Sequence, residues 1–283
     1  MGRLILNADD FGLTAGVNRA VAELHRAGVL TSATLMARGA ATDEAIAMAR
    51  STPTLGVGCH VVLVDGEPAL SPRRDIPNLA DPVSGRFRSS LSGFLERLLT
   101  GRIRSSEIEA ETAAQITLLQ SRGVALTHID THKHMHIFPA VLRPVLRAAR
   151  AAGIHAVRNP FEPAWSRRAT LHAPWLRRSE VSLLRLWEPA FRRIVAEEGF
   201  TTTEGALGVL ATGTLDSATL AALLRNLPAD TWELVTHPGY NDADLAGAHT
   251  HLLASRETER LALASINLKD EIELIDFSRL GSG

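Results

Sequence analysis

The chain has 283 residues, 45% of them hydrophobic and 22% charged, with a formal net charge of -1. That length suits one large α/β barrel, which typically takes about 250 residues, and near-neutral charge removes the usual argument for a nucleic-acid partner. The single cysteine, Cys59, excludes an intrachain disulfide framework and any cysteine-rich zinc site, and it fits a reducing compartment. The opening run MGRLILNADD enters a strand with no basic lead-in or small-residue cleavage site. No segment approaches ~18 uninterrupted apolar residues, so the expectation is a cytoplasmic protein without a membrane span.

In chain order, residues 4–8 form the first candidate strand and end on the pair Asp9-Asp10. Thr14 is placed to N-cap a helix running through His25, with Gly28 near its C-terminus. Strands follow at 33–37 and 55–62, the second carrying His60. The stretch 64–105 contains Pro68, Pro72, Pro77 and Pro82 and reads as a loop or lid with little regular structure. The strand at 124–130 runs into THIDTHKHMH, after which Pro139 opens a helix with the apolar stripe Leu142, Val145, Leu146 and Ala149, ending at Gly153. A short strand at 155–158 ends on Arg158. The insertion at 163–195 holds Trp165, Trp175, Trp187 and seven arginines against the two acids Glu180 and Glu188. Strands at 206–210, 233–236 and 272–275 then alternate with helices at 217–227 and 252–266. About eight strands in this alternation, several of them continuously apolar, predict an irregular (β/α) barrel in one domain. A doubly wound open sheet is the alternative, unsupported by any glycine-rich phosphate loop after the first strand.

Chemistry-bearing residues fall at strand ends. Asp9 and Asp10, His60, the group His128, Asp130 and His132, then Arg158 and His237 all end or nearly end strands, which in a parallel α/β fold face one rim. Adjacent carboxylates repel, and a metal on one with a general-base role for the other relieves that; an N-capping Asp with a solvated neighbour is the plainer alternative. Full extension of 128–136 puts His128, Asp130, His132, His134 and His136 on one face. A divalent ion takes one or two ligands from such a run, leaving the rest to orient ligands or contact substrate. His60 alone is an ordinary core histidine; the need for a ligand from another strand brings it forward. Two imidazoles and a carboxylate suit Zn²⁺, Fe²⁺, Co²⁺ or Mn²⁺, with Mg²⁺ kept as a candidate though less natural with two nitrogens. His237, presented by the Pro238-Gly239 turn, reads as a general acid or a loop histidine. Arg158 reads as a group that orients a carboxylate or binds a substrate oxygen.

NADDFG, TSATLM at 31–36, GCHVVL around His60, THIDTHKHMH and VTHPGYND occur in an order that resembles the YdjC family of carbohydrate deacetylases, which includes bacterial chitooligosaccharide deacetylases. The resemblance runs from Leu4 to about Phe277. It implies a barrel similar to those of polysaccharide deacetylases and removal of acetyl groups from N-acetylated sugars. Position by position it implies Asp10, His60 and His132 as the ligands of one divalent metal ion, Asp9 as base, His237 as acid and Arg158 as the support of the base. HVVLVDGEPAL and the Arg/Trp-rich insertion look more like a hopanoid-associated branch than the chitobiose branch. That insertion reads as a lid, a homodimer contact or a peripheral membrane contact. The expected activity is attack of a metal-activated water on an acetamido group of an oligosaccharide or glycolipid. A metal-dependent phosphoesterase and a non-catalytic sugar- or metal-binding protein are the rival readings.

Overall fold

A computed structural model describes residues 2–65, 69–170, 173–266, 268 and 272–281. Pro68 lies outside the described residues. Seven strands form one parallel sheet: β1 (Gly2–Phe11), β2 (Ser32–Leu35), β3 (Gly56–Val61), β4 (Leu126–Thr131), β5 (Gly205–Leu207), β6 (Thr231–Thr236) and β7 (Ile272–Leu274). Their order is β4-β3-β2-β1-β6-β5, with β7 pairing the first residues of β1. The helices are α1 (Ala15–Arg26), α2 (Thr42–Ser51), α3 (Leu91–Leu99), α4 (Ser105–Ser121), α5 (Pro139–Ala151), α6 (Ala164–Ala169), α7 (Trp175–Leu184), α8 (Glu188–Glu197), α9 (Ser217–Arg225), α10 (Ala243–Gly247) and α11 (Ala254–Ala264).

The strands are parallel because a helix or long crossover separates almost every consecutive pair, and buried on both faces because helices cover the sheet. Every residue of β2, β3, β5 and β6 is buried. The predicted strand at 155–158 is reduced to isolated bridges. Val157 pairs Ile129 of β4 and Ala156 pairs Thr201, while Ala206 N–H donates to the Phe161 carbonyl at 3.1 Å. Pro160 follows at once and has no N–H to extend a ladder. This irregular chain carries the circuit from β4 round to β5, so the sheet is an irregular (β/α) barrel.

The helix expected after Thr14 forms, with Thr14 Oγ1 accepting from Val17 N–H at 3.2 Å, and α5 starts at Pro139. The reading of 64–105 as almost without regular structure needs correction. Ser90 caps α3, and Ala80 and Phe87 make an antiparallel bridge. The buried carboxylates of α4 hold the remainder: Glu111 accepts from Leu70 and Ser71, and Glu107 from Asn78 and Leu79. The 163–195 insertion folds as α6, α7 and most of α8, leaving Trp175, Leu183 and Leu186 strongly exposed.

A candidate metal centre and its carboxylate surroundings

β1 delivers both aspartates to one basin by breaking its own regularity. Neighbours on an extended strand point to opposite faces. Here Asp10 adopts the left-handed region (φ 63°) and the β1–β2 register slips between Ala8 and Phe11. Asp9 and Asp10 are both buried. His60 is paired in register with Asp130 across β3 and β4, which sets the two side chains face to face.

His132 is supplied differently. β4 ends at Thr131 and the chain turns into a 3₁₀ segment, His132–Ile137, in which Lys133 and His134 have φ of 55° and 53°. The face of five alternating side chains that full extension would give therefore does not form, and one histidine of the run, His132, reaches the site's triangle. Thr131 Oγ1 accepts from His136 N–H at 3.0 Å and lies 2.7 Å from His136 Nδ1, fastening the turn.

Three atoms converge. His60 Nε2 and His132 Nδ1 are 3.2 Å apart, and each is 3.4 Å from Asp10 Oδ1. A four-coordinate ion with bonds of about 2.0–2.1 Å holds its ligand atoms about 3.3–3.4 Å apart, so the triangle fits one. The remaining nitrogens are committed: His60 Nδ1 donates to Asp130 at 2.9 Å, and His132 Nε2 donates to Asp65 at 2.9 Å. Each ring therefore faces the triangle with the nitrogen whose lone pair an ion would take in place of a proton. Asp10 Oδ1 is buried without a hydrogen-bond partner, while Oδ2 accepts from Arg256 at 2.5 Å. The donor set fits a divalent ion.

Beside the triangle, Arg158 is fully buried and donates twice to Asp9, at 2.6 and 2.8 Å. It also donates to Glu233 at 2.8 Å and to Asp130. Asn7 and Thr34 complete the bonds to Asp9, at 2.8 and 3.1 Å. His237 directly follows β6 with Nε2 3.8 Å from Asp9, and Glu259 accepts from its backbone N–H at 2.6 Å.

Charge follows geometry. Burial would raise Asp9, but Arg158, His60 and His237 hold its carboxyl well below the usual range. Burial is likewise outweighed at Asp10, by the Arg256 guanidinium and by the nearby His132 and His60. His60 is raised to about 10: burial opposes a charge there, but Asp130, Asp10 and Asp9 demand one. Burial, only partly offset by Arg158, pushes Glu233 up to about 7. The acids Asp9, Asp10, Asp65 and Asp130 outnumber the permanent cations Arg158, Arg256 and Lys133, and the raised imidazoles His60 and His132 supply positive charge that a divalent ion would replace.

Asp9, Asp10, His60, Asp130, His132, Arg158 and His237 are thus brought together. His128 is not among them: its ring stacks on Phe277 at 3.7 Å and packs over Gly58. His136 is buried on Thr131, and His134 lies beside it with ring centroids 6.3 Å apart. Sequence reasoning missed Asp65, Glu233, Arg256 and Glu259. Glu233 had a readable signal, an acid inside an apolar strand. Arg256 looks like any charge on an exposed helix, and Asp65 like a turn residue before glycine.

A family model described as YdjC-like protein matches residues 3–273. A carbohydrate deacetylase of Brevibacillus brevis is 33% identical over 99% of this chain and 100% of its own length. The carbohydrate deacetylase of Homo sapiens is 32% identical over 84% of this chain and 75% of its own. A solved structure from Enterococcus faecalis V583, provisionally named a cellobiose-phosphate cleavage protein, is 24% identical over 98% of this chain and 97% of its own. It superposes with a TM-score of 0.77, a likeness of fold.

Proposed function

The chain belongs to the YdjC-like protein family, and on that footing we propose that it is a metal-dependent hydrolase removing the acetyl group from an N-acetylated sugar. Relatives named carbohydrate deacetylase support the substrate class. The observation that carries the metal dependence is the triangle of Asp10, His60 and His132, with edges of 3.2, 3.4 and 3.4 Å and both imidazole tautomers committed. Two nitrogen donors favour a zinc-type transition ion over Mg²⁺.

When bound, the ion supplies Lewis acidity, polarising the amide carbonyl and making water a stronger acid. Asp9 takes the proton of the attacking water. The pair of hydrogen bonds it accepts from Arg158 keeps it ionised and aimed, at some loss of basicity. His237 gives a proton to the departing nitrogen, which otherwise leaves as a poor amide anion, and Glu259 fixes its backbone. Asp130 orients His60. His134 and His136 shape the turn that carries His132.

Within this reading the described residues of 64–105 serve as a lid, tied to the site through Asp65. The 163–195 helices, with Trp175, Leu183 and Leu186 exposed, supply a surface for peripheral membrane contact or for a second copy. No described helix is long and apolar enough to cross a membrane. The test is an acetate-release screen of N-acetylglucosamine oligomers and glycolipids, with the protein loaded in turn with Zn²⁺, Co²⁺, Mn²⁺, Fe²⁺ and Mg²⁺. Acetate release restored by one of these ions is expected. Turnover of phosphate esters alone, or sugar binding without acetate, contradicts the proposal.

A further inference from the structure

We propose that Asp65 is the positioning residue of the metal centre, holding His132 in the tautomer and orientation that offer Nδ1 to the ion. This rests on the metal reading above.

His132 needs such help more than the other two ligands. Asp10 and His60 lie on sheet strands and are almost wholly buried, whereas the His132 side chain is 21% exposed and opens a short, kinked 3₁₀ segment. A free imidazole interchanges its two tautomers, and the one with a proton on Nδ1 cannot bind a metal through that atom. Asp65 removes the choice: its Oδ2 accepts from Nε2 at 2.9 Å. Its Oδ1 accepts from Lys133 Nζ at 2.6 Å, so both oxygens are used and the carboxylate cannot rotate away.

Backbone conformation gives an independent indication. Among the described residues, the non-glycine residues with positive φ are Asp10, Asp65, Lys133 and His134. All four belong to this one constellation: a ligand, the residue behind a ligand, its clamp, and the turn that bears the ligand. A left-handed conformation at a non-glycine residue costs of order 1 kcal/mol or more and persists where the surroundings over-determine it. Asp65 is held in it by its own N–H bond to the Arg88 carbonyl at 2.8 Å, beyond the Ala80–Phe87 bridge. The start of the lid segment is thereby tied to a metal ligand.

The experiment titrates metal-stripped protein with Zn²⁺ against a chelator of known affinity, and records the visible spectrum of the Co²⁺ form as a reporter of ligand geometry. Asp65→Ala is expected to bind Zn²⁺ about 10–100-fold more weakly and to alter the Co²⁺ bands, with far-UV dichroism and metal-free unfolding temperature preserved. Asp65→Asn keeps a carbonyl acceptor for Nε2–H and is expected to recover most of the affinity. Equal affinity in wild type and Asp65→Ala overturns the proposal, as does a loss that appears only together with unfolding. Failure of the wild type to bind any metal overturns the metal reading itself.

Discussion

Asp9 meets Arg158 through two hydrogen bonds and His237 across 3.8 Å, a placement suited to moving a proton. Asp9→Asn keeps the shape but removes the base that can take up a proton. Acetate release is expected to fall about 10²–10⁴-fold with metal content unchanged; near-wild-type turnover would remove Asp9 from the base role. The residues legible in the sequence were those whose type is rare at a strand end: paired aspartates, a dense histidine tract, a histidine before Pro-Gly. Arg256 and Asp65 stayed hidden because their significance depends on direction. Arg256 is one of several charges along α11, and only the fold shows that it is the arginine turned inward onto Asp10.

At the scale of elements, strand ends were readable and strand continuations were not. The apolar runs located β1, β3, β4 and β6 because continuous apolar sequence in a βα alternation has to be buried. β4 stops where the strand read at 124–130 stops, and the two left-handed residues after His132 rule out an extended continuation to 136. The segment at 155–158 reads as a strand but pairs only by bridges, a result of Pro160. Gly58 shows how tightly β3 and β4 are matched, since a Cβ there would lie 2.4 Å from the His128 ring. Gly58→Ala is expected to destabilise the fold by about 1–3 kcal/mol through overpacking, measured by urea unfolding. A neutral effect would mean that the His128–Phe277 stack is loose.

For the whole molecule, the buried imidazoles set the acid side of the stability curve. Burial lowers His128 to about 3 and His136 to about 4, against an ordinary value of 6.5. Below 6.5 the unfolded chain takes up protons that the folded one refuses, so stability falls as pH drops toward 4. Glu233, pushed up to about 7 from 4.5, and Glu162, raised by burial, act in the opposite sense, but they are two carboxyls against three imidazoles, since burial lowers His134 as well. His60, raised to about 10, changes stability mainly above 6.5, while Asp9 and Asp10, both lowered from 3.8, matter only below that value. The urea midpoint of metal-free protein is therefore expected to be lower at pH 4.5 than at pH 6.5, and an equal or higher midpoint would reverse the assignment. The measurement that bears most directly on the central claim compares wild type with His132→Ala for bound divalent metal and for acetate released from an N-acetylglucosamine oligomer. The wild type is expected to hold an ion and turn over, and His132→Ala to lose tight metal binding and turnover together. A His132→Ala protein that keeps both would contradict the metal centre described here.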